Sequence, residues 1–383
     1  MVNRVIHIAE DRIFIDSAIR QFEKVMPRKN VFYVFTDDGE NKIKRIKNIN
    51  EVIVNSPEVE IFSTIKSSDL VIFHSLVPRF YNLVINLPKE VKCVWLCFGF
   101  EVYNDKRLFP DKMLYDQITF GKYGQKRREF KTRFKEWSRP YYRLLKKKLP
   151  YSEYELKKLA MERIDYLGSS FKNEYEYIQK IIGYKKKFFP FWYYPLEEII
   201  NVNDLAVEAD KTNILIGHSG VPYANHIDTF KKLENCNSYF KEIVAPLSYG
   251  DNHYIKEILE FGERLFGEKF SPLTSFLALD EYNSIIKKCK VVVFNNRRQQ
   301  AVGNTIALIW MGAKVFLSKK NTFYHFLKEK GVNVYCYEND FNEQNIKNQL
   351  QTIEIDHNRN VLLGILSSSV LEEELKTVIS TIN

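Results

Sequence analysis

Residues 287–317 read KKCKVVVFNNRRQQAVGNTIALIWMGAKVFL and carry the pattern that decides the fold class. Residues 291–294 form a β-branched run ending in phenylalanine, which is typical of a strand buried on both faces. Residues 305–311 are apolar over two helical turns, and Gly312 is a stop signal. Residues 315–317 are apolar again. The stretch therefore predicts a strand, a polar loop, a helix and a second strand, the repeating unit of a parallel α/β sheet.

The loop before the predicted helix is polar and holds, in order, Arg297, Arg298, Gln299, Gln300, Gly303, Asn304 and Thr305. A helix N-terminus offers free N–H donors and the positive end of the helix dipole, so it suits an anion. The upstream guanidinium groups would add charge-assisted hydrogen bonds. A solvated, well-capped turn has the same composition, so the loop alone does not separate these two interpretations.

Length and composition bound the class of protein. At 383 residues the chain is long enough for two domains, and 45% apolar with 14% aromatic residues indicates packed cores. There is no run of about eighteen apolar residues, so we expect no membrane-spanning helix. The first residues alternate as in a strand and lack a signal-peptide core, and the five scattered cysteines lack metal-ligand spacing. We therefore expect reduced thiols in a cytoplasmic protein.

The positive charge is concentrated in residues 121–150, which contain twelve Lys or Arg and two Glu in a chain of formal net charge +9. Aromatic and leucine residues recur there at helical spacing, opposite the basic face and with a kink at Pro140. This pattern predicts an interfacial helix on an anionic membrane surface. The expected membrane-binding residues are Arg127, Arg128, Phe130, Lys131, Phe134, Lys135, Trp137, Lys146, Lys147 and Lys148.

Two other interpretations of the basic segment remain open. The aromatic stripe of a surface helix could dock on its own domain. Nucleic acid is a third anionic partner, but no recognition motif accompanies the charge, so we expect no nucleic acid to bind.

Apolar strands alternate with helices in both halves, which predicts two doubly wound parallel sheets. Among the expected elements are strands at 69–73, 91–98 and 239–246 and a helix at 79–87. The acidic stretch 196–211 lacks a strong period and is interpreted as a linker. It separates a first domain, 1–195, from a second domain, 212–357. A helix over 358–383 ends the chain, with a return to the first domain as one option.

Ligands of doubly wound sheets bind beyond the carboxyl ends of the strands, so polar residues there are candidates for function. In the first half these are His7, Asp11, His74 and Glu101, although each alone has an ordinary structural interpretation. In the second half the loop 217–220 has glycines at both ends, as loops that approach phosphates do. The two halves would face each other across a cleft, with anion donors on one side and bases on the other.

A diphosphate held opposite a base suits attack on a nucleotide-activated group. The sequence contains no D-x-D, so we expect no metal to bridge the diphosphate and no cofactor besides a nucleotide substrate. It contains no P-loop and no G-x-G-x-x-G, which argues against a nucleotide triphosphatase and a dehydrogenase.

A set of motifs then occurs in one order across most of the chain: His7 with Asp11, Phe73-His74, Trp95…Gly99-x-Glu101-x-Tyr103, Gly217-x-Ser219-Gly220 with His226, Pro246-x-x-Tyr249, Asp280-x-Tyr282 and Arg298-Gln299-Gln300-x-x-Gly303. In these motifs the sequence resembles the TDP-N-acetylfucosamine:lipid-linked-disaccharide N-acetylfucosaminyltransferases, glycosyltransferase family 56 (4-alpha-L-fucosyltransferases). These enzymes make enterobacterial common antigen and similar polysaccharides. The Arg-Gln-Gln run is the most specific motif. The family's motif acid is aspartate, whereas this chain has Glu101.

The resemblance implies a GT-B fold, in which two Rossmann-like domains face a central cleft, and inversion at the donor carbon without a required metal. It also implies a polyprenyl-diphosphate-linked acceptor, met by a peripheral protein on the cytoplasmic face of the bacterial inner membrane. The predicted reaction moves a deoxy-amino sugar, such as N-acetylfucosamine, from a TDP-sugar to that lipid-linked glycan.

Roles follow for the candidate residues. Glu101 is the first choice for the base, with Asp11 and His74 behind it, and a structural capping acid is the alternative for Glu101. The expected diphosphate site consists of Gly217, Ser219, Gly220, Arg298, Asn304 and Thr305, and Gly303 is a further expected donor-binding residue. The expected base or ribose contacts are Tyr249, Asp280 and Tyr282, with core packing as the alternative for the tyrosines. Gln299 and Gln300 are expected to contact hydroxyl or acetamido groups of the sugar.

Three other functions are compatible with parts of the sequence. One is a nucleotide-sugar epimerase or hydrolase of the same GT-B fold, which the basic segment disfavours because a soluble epimerase has no use for a membrane face. Another is a fucosyl-type transferase with a different donor. The third is a membrane-binding module without enzymatic activity.

Overall fold

The computed structural model describes residues 2–37, 42–124, 134, 138, 139, 141, 142, 150–207 and 211–382. These residues build two parallel sheets, each covered by helices on both faces. The predicted α/β class is therefore confirmed.

The first sheet has seven strands within the described ranges, in the order β3-β2-β1-β4-β5-β6-β7. All neighbouring strands are parallel. The strands are β1 (Arg4–Glu10), β2 (Asn30–Phe35), β3 (Val52–Val54), β4 (Asp69–Phe73), β5 (Lys92–Leu96), β6 (Tyr166–Ser169) and β7 (Lys187–Pro190).

The second sheet, counted over the same described residues, has six parallel strands in the order β10-β9-β8-β11-β12-β13. The strands are β8 (Asn213–Ile216), β9 (Ile243–Pro246), β10 (Phe270–Leu273), β11 (Cys289–Phe294), β12 (Lys314–Leu317) and β13 (Tyr335–Cys336). Strand β11 is the predicted buried strand of the 287–317 stretch, and all six of its residues are buried.

The helices of the first half are α1 (Ile15–Val25), α2 (Glu58–Thr64), α3 (Tyr81–Ile85), α4 (Phe100–Tyr103), α5 (Asp111–Leu114), α6 (Gln117–Tyr123), α7 (Glu153–Arg163), α8 (Lys172–Ile182) and α9 (Leu196–Ile199). Those of the second half are α10 (His226–Leu233), α11 (Asn252–Phe266), α12 (Leu279–Ile286), α13 (Val302–Trp310), α14 (Thr322–Glu329), α15 (Tyr337–Asp340), α16 (Glu343–Lys347), α17 (Thr352–Leu366) and α18 (Ser368–Ser380).

Side-chain alternation along β1 shows why the first sheet is buried on both faces. Val5 and Ala9 pack on one face together with Phe22 of α1. Ile6 and Ile8 point to the other face, where the second core lies. A strand that must fill two apolar layers reads as a continuous apolar run, which is why the sequence pattern identified it.

The last two helices join the domains. Helix α17 packs on the second domain through Leu362 and Leu366. Helix α17 ends at Ser367, which has an extended backbone. Helix α18 then lies on the first domain, where Leu375 and Ile379 enter the core that contains Val5. The terminal helix of the sequence prediction is thus two helices, and the second one crosses back.

The junction between the domains is apolar. Phe171 follows β6 and stacks on Phe326 of α14 at a ring-centroid distance of 4.9 Å. Trp192 and Leu196 belong to the same buried cluster. Because Leu196 is fully buried in α9, the stretch interpreted as a linker begins with a helix that packs in the core.

Three element predictions differ from the structure. The helix expected at 79–87 is a 3₁₀ turn, Pro78–Phe80, followed by the short α3, because Pro78 occupies the start of the turn. The strand expected at 239–246 begins only at Ile243, after the 3₁₀ helix Glu234–Tyr239. Strand β10 was not predicted, since it is half-buried, contains a proline and lies at the edge of the sheet.

Candidate active site

The carboxyl ends of both sheets face one cleft, and two cavities lie along it. The first, here called the inter-domain cavity, has a volume of about 160 Å³. The first domain contributes Phe98, Trp192 and Tyr193 to its wall, and the second domain contributes Gln299 and Gly303. It is therefore a space that both domains enclose.

The second cavity, here called the outer cavity, measures about 690 Å³ and is lined by the first domain. Its polar lining consists of Glu10, Arg12, His74, Ser75 and Arg79, and its apolar lining of Phe14, Val77, Pro78, Phe98 and Phe100. Phe14 and Phe98 line both cavities and contact each other at a ring-centroid distance of 4.3 Å. The two cavities are therefore neighbours that share an aromatic wall.

Helix α13 directs its N-terminus at the inter-domain cavity. The residue before it, Ala301, has a left-handed backbone (φ +51°) and no side chain that caps the helix. Val302 and Gly303 line the cavity, and a side chain at Gly303 would meet nothing within 4 Å. The positive end of this nine-residue helix is therefore accessible from the cavity.

Helix α13 begins earlier than the sequence indicated, which moves Thr305. Its side chain is fully buried, and its hydroxyl donates to the carbonyl of Ala301, one turn back, at 2.9 Å. Thr305 is therefore part of the helix interior, whereas Asn304 is exposed beside Gly303.

Arg298 bridges the two domains. Its Nη1 donates to Asn104 Oδ1 at 3.1 Å, and its guanidinium lies 4.5 Å from the ring centroid of Tyr223 and 5.6 Å from that of Tyr103. The residue is buried, and burial lowers the pKa of Arg298, although a guanidinium stays charged at neutral pH. Arg297 instead pairs with Asp116 and the carbonyl of Tyr115, so it fixes the loop.

Two glycine loops pack tightly against each other at the ends of β8 and β9. Gly217 has a φ of +69°, and a Cβ there would lie 2.2 Å from His226 Nε2. Gly220 forms a parallel bridge with Gly250, whose Cβ would lie 2.1 Å from the Gly220 oxygen. Ser219 is buried between them. The glycines predicted as a phosphate loop are thus required for close packing of the chain itself.

Several buried polar atoms at this rim have no hydrogen-bond partner within the described ranges. They include His218 Nδ1, Asn295 Oδ1, Asn296 Oδ1, Arg297 Nε and Arg298 Nε. Burial, and then the charge of Arg298, lower the pKa of His218 to about 4, so its imidazole is neutral at pH 7. A buried polar atom without a partner costs about 1–3 kcal/mol, so a polar ligand would find these positions prepared.

The remaining predicted donor residues divide between the surface and the core. Tyr249 is half exposed and stacks on the more exposed Phe276 at 6.0 Å with nearly parallel rings. Asp280 is exposed on α12. Tyr282 packs on the second-domain core, and burial raises its pKa to about 12, which agrees with the core-packing alternative. Gln299 lines the inter-domain cavity.

Gln300 is engaged within its own loop. Its Oε1 accepts a hydrogen bond from Asn296 Nδ2 at 2.8 Å. The two glutamines of the Arg-Gln-Gln run therefore have different surroundings, and Gln299 is the one that reaches the inter-domain cavity.

Glu101, the first choice for the base, lies on α4 with its carboxylate held behind the cavity wall. Oε1 accepts from Trp95 Nε1 at 3.2 Å and from the backbone N–H of Leu76 at 3.4 Å. Oε2 lies 3.9 Å from the Sγ of Cys97, which lines the inter-domain cavity. Burial raises the pKa of Glu101, but its carboxylate lines neither cavity.

The other two candidate bases are engaged in hydrogen bonds. The carboxylate of Asp11 accepts from the backbone N–H groups of residues 44–46 at 2.7–3.2 Å, so it organises a loop. His74 lines the outer cavity, yet Nε2 bonds to His7 Nδ1 at 2.9 Å and Nδ1 to the Tyr193 hydroxyl at 2.7 Å. Burial lowers the pKa of His74 to about 3, so it is neutral at physiological pH.

The sequence interpretation missed three groups at the cleft or at the junction between the domains. Glu10 precedes Asp11 and lines the outer cavity 3.2 Å from Arg12 Nη2. Glu174, on α8, is buried and accepts from the Tyr103 hydroxyl at 2.8 Å and from the Thr322 hydroxyl of the second domain. Tyr193 lines the inter-domain cavity. Glu10 follows a predicted strand, so its position was a usable signal; the other two carried none.

Most of the predicted membrane-binding segment lies outside the described residues: Arg127, Arg128, Phe130, Lys131, Lys135, Trp137, Lys146, Lys147 and Lys148. Of the predicted set, Phe134 is described, and it is exposed. Within the described part of the chain, no group of three His, Cys, Asp or Glu side chains is placed to hold a metal ion. Across those same residues, no helix is long and apolar enough to span a membrane.

Comparison with solved structures identifies the fold class. The chain is similar to the Anabaena protein HepE in complex with UDP (TM-score 0.59, 10% identity, 99% of this chain and 100% of that one). It is also similar to a trehalose-6-phosphate protein from E. coli bound with UDP-2-fluoro glucose (TM-score 0.60, 11% identity, 99% of both chains). A third is sucrose-phosphate synthase from Thermosynechococcus elongatus (TM-score 0.56, 10% identity, 98% of both chains). The two sheets facing a cleft are the GT-B fold of glycosyltransferases.

A family model narrows this class. Residues 125–366, more than half of the chain, match the family described as 4-alpha-L-fucosyltransferase, glycosyl transferase group 56. The protein belongs to this family and is a glycosyltransferase, as the sequence motifs predicted. A glycosyltransferase of this kind has a nucleotide-sugar donor and an acceptor.

Proposed function

We propose that this protein is an inverting, metal-independent glycosyltransferase of bacterial surface polysaccharide synthesis. It transfers a deoxy-amino sugar such as N-acetylfucosamine from a TDP-sugar to a polyprenyl-diphosphate-linked glycan. The acceptor lies at the cytoplasmic face of the inner membrane, as in the synthesis of enterobacterial common antigen. Family membership supports the transfer chemistry and the fucose-type sugar, and the motif resemblance supports the TDP donor and the lipid-linked acceptor.

The observation that carries the donor side is the prepared rim of the second domain. Among the described residues, Arg298 Nε and His218 Nδ1 have no hydrogen-bond partner, and no side chain caps the N-terminus of α13, which begins four residues after Arg298. A diphosphate would supply acceptor oxygens to Arg298 and to the backbone N–H groups of α13. The same groups would stabilise the charge that the leaving nucleoside diphosphate develops.

The neighbouring residues orient the rest of the donor in this proposal. The sugar lies in the inter-domain cavity, where Gln299 and Gly303 form part of the wall. The nucleobase lies on the exposed aromatic pair Tyr249 and Phe276, because flat apolar faces in water favour base stacking. Exposed Asp280 is the carboxylate for the ribose hydroxyls.

The acceptor occupies the outer cavity. Its volume of about 690 Å³ fits a saccharide, and its walls combine aromatic rings with two guanidinium groups. Arg79 Nη1 bonds to the carbonyl of Thr36, and Arg12 pairs with Asp37, so both are held in place. In the proposal the aromatic wall contacts sugar rings, and the guanidinium groups face the anionic diphosphate of the lipid.

A catalytic base needs a raised pKa and access to the substrate, and Glu101 has the first property whereas Glu10 has the second. Burial raises the pKa of Glu101, but Trp95 and Leu76 hold its carboxylate behind the wall. Glu10 lines the outer cavity itself. Because a base must touch the hydroxyl whose proton it takes, we propose Glu10 as the proton acceptor and Glu101 as a support of the wall.

The proposed step is a single displacement. The acceptor hydroxyl oxygen forms a bond to the anomeric carbon while the bond from that carbon to the diphosphate oxygen breaks. Glu10 takes the hydroxyl proton, and the nucleoside diphosphate leaves with the electron pair. Attack from the face opposite the leaving group inverts the anomeric configuration.

The test is transfer from TDP-N-acetylfucosamine to a polyprenyl-diphosphate-linked disaccharide by the wild type, Glu10→Gln and Glu101→Gln. We expect transfer by the wild type, a loss of about 10²–10⁴-fold in kcat for Glu10→Gln, and a smaller loss for Glu101→Gln. Absence of transfer with the wild type would exclude the proposed reaction. A larger loss in Glu101→Gln would return the base to Glu101.

Membrane attachment is tested separately, because it rests on the basic sequence segment. Co-sedimentation with vesicles that contain anionic phospholipid should capture the protein, and salt should release it. Equal binding to neutral vesicles, unaffected by salt, would exclude an electrostatic attachment.

A further inference from the structure

A chain of hydrogen bonds runs through the first domain from a surface helix to the cleft. His7 Nε2 bonds to Asn30 Oδ1 at 3.4 Å, and His7 Nδ1 bonds to His74 Nε2 at 2.9 Å. His74 Nδ1 then bonds to the hydroxyl of Tyr193 at 2.7 Å. Both imidazoles are buried, and Phe32 stacks on His7 at 3.9 Å, so the rings are fixed.

The far end of the chain sets the direction of every bond in it. Asn30 Nδ2 donates to Glu23 Oε1 at 2.6 Å and to the Met26 carbonyl at 2.8 Å. Both partners only accept, so the amide group of Asn30 has one orientation and presents its oxygen to His7. His7 must therefore donate from Nε2, which leaves its Nδ1 as an acceptor.

The same logic passes through the second imidazole. Because His7 Nδ1 accepts, His74 donates from Nε2, and its Nδ1 is left to accept. Tyr193 therefore donates its hydroxyl proton to His74. A phenol has one donor and two acceptor positions, so the hydroxyl of Tyr193 has only acceptor capacity left.

Tyr193 lies where the two cavities meet. It lines the inter-domain cavity, while its partner His74 lines the outer cavity. Its ring stacks on Phe98 at 4.8 Å and contacts Phe14 edge-on at 4.8 Å, and these are the residues of the shared wall. The oxygen of Tyr193 is thus held by packing as well as by its own hydrogen bond.

We propose that Tyr193 is a positioning residue that accepts a hydrogen bond from a hydroxyl or amide N–H group of a bound sugar. This inference rests on the proposed function and adds a selection rule to it. A sugar that presents a donor at this position is held, and one that presents only an acceptor, or no polar group, is not.

This series of hydrogen bonds does not carry away the proton that the acceptor sugar's hydroxyl loses in the reaction. Burial lowers the pKa of His74 to about 3, and burial together with His74 lowers that of His7 well below its usual range. Neither ring therefore holds an extra proton at neutral pH. The chain also ends on the amide oxygen of Asn30, which is not a base. Its consequence is a fixed polarity at Tyr193.

The direct test is Tyr193→Phe, which removes one oxygen and keeps the ring. Transfer is measured from TDP-N-acetylfucosamine to the polyprenyl-diphosphate-linked disaccharide, and with a set of monodeoxy donors and acceptors that includes a donor whose acetamido group is replaced by hydrogen. We expect kcat/KM for the natural pair to fall about tenfold. For one deoxy analogue, the penalty seen with the wild type should vanish in the variant, which would identify the group that Tyr193 contacts. If every deoxy penalty persists in the variant, the proposal is overturned.

Tyr175→Phe is the matched control. It removes a hydroxyl that bonds to the Lys186 carbonyl and Gln179 on α8, away from both cavities. We expect the deoxy penalties to stay as in the wild type. A general loosening of the domain would change them in both variants, and such a result would count against a specific role of Tyr193.

A second measurement needs no substrate. Nitrogen NMR of histidine-labelled protein at pH 7 should show His7 and His74 neutral, each with its proton on Nε2. A proton on Nδ1 of either ring would overturn the assignment of Tyr193 as an acceptor. If the tautomers are as expected but the wild type transfers no sugar, the proposed function fails while the polarity of Tyr193 stands.

Discussion

The two rims of the cleft differ in how their buried polar groups are satisfied. In the first domain, Asp11 is saturated by backbone N–H groups, Glu101 is held by Trp95, and His74 bonds on both sides. In the second domain, His218 and Arg298 retain buried atoms without partners in the described ranges. The named groups of the first rim are satisfied by the protein itself, whereas under the proposed function the donor would supply the missing bonds of the second rim.

This difference indicates a division of labour. Buried atoms without partners cost free energy, and a ligand that supplies the missing bonds would recover that cost. The nucleoside diphosphate of the proposed donor has the same chemistry whichever sugar it carries. A saturated rim instead offers shape and fixed polarity, which suit discrimination between sugars. Variants on each rim should therefore fail in different ways.

The largest effect is expected for Arg298→Ala. Loss of this guanidinium removes a charge-assisted contact to the diphosphate and to the leaving group, and we expect kcat/KM for transfer to fall by about 10²–10³-fold. The affinity for TDP, measured by calorimetry, should fall as well. The control is Arg264→Ala, because that guanidinium lies over the ring of Phe261 on α11, outside the cleft. Transfer by Arg298→Ala within about threefold of the wild type would remove the diphosphate site from this rim.

Glu174 lies at the junction between the two domains, where it accepts hydrogen bonds from Tyr103 of the first domain and Thr322 of the second. Burial raises the pKa of Glu174 to about 7 from 4.5. Between these values the folded protein keeps a proton that the unfolded chain has lost, so the free energy of unfolding falls as pH rises. We expect this group to remove on the order of 3 kcal/mol between pH 4.5 and pH 8.

Glu174→Gln isolates that contribution, because the amide does not titrate and resembles the protonated carboxyl: its oxygen can accept from one of the two hydroxyls, and its NH2 group can donate to the oxygen of the other. Urea unfolding at several pH values should show a shallower decline for the variant, which should be the more stable protein at pH 8. Parallel pH profiles of the two proteins would show that Glu174 is not protonated at the junction.

The fold was accessible from the sequence because its cause is local. Buried parallel strands need continuous apolar runs, and such a run is visible in the sequence of β11. The errors lie where conformation depends on distant contacts. Helix α13 begins at Val302 because Ala301 adopts a left-handed backbone, a conformation that sequence normally signals through glycine or asparagine. The edge strand β10 carries Pro272, which argues against a strand when the sheet is unknown.

The candidate site shows the same limit. The close approach of the backbone at Gly217 and Gly220 was predictable because spacing within a loop is visible in the chain, whereas the phosphate contact expected there stays a prediction. Tyr193 was not, because it meets His74 across 119 positions of sequence. Glu101 follows a strand as expected, but only packing decides that its carboxylate turns towards Trp95. Local order predicts which residues reach a rim, and tertiary contacts decide which of them face the cleft.

Two glycine substitutions separate the cost of the close contact with His226 from the cost of a positive φ. Gly217→Ala places a Cβ at 2.2 Å from His226 Nε2 and retains a positive φ, so we expect a loss of about 2 kcal/mol or more in the free energy of unfolding. Gly183→Ala has a similar φ of +77° with nothing within 4 Å, so it should lose only about 1 kcal/mol. Equal losses in urea unfolding would mean that the His226 contact is unimportant.

The smallest effect is expected at the exposed aromatic pair of the second rim. Phe276 is 79% exposed and stacks on Tyr249, so its removal should leave the free energy of unfolding unchanged. If it stacks on the nucleobase, Phe276→Ala should weaken TDP binding about fivefold, or about 1 kcal/mol, in calorimetry.

Phe100→Ala removes an exposed ring from the first rim, where it lines the outer cavity. That variant should bind TDP as the wild type does and should raise the KM for the acceptor. The two substitutions remove the same side chain, so opposite results for nucleotide and acceptor would establish which rim holds which substrate. Weakened TDP binding in both variants, or in neither, would contradict the division between the rims.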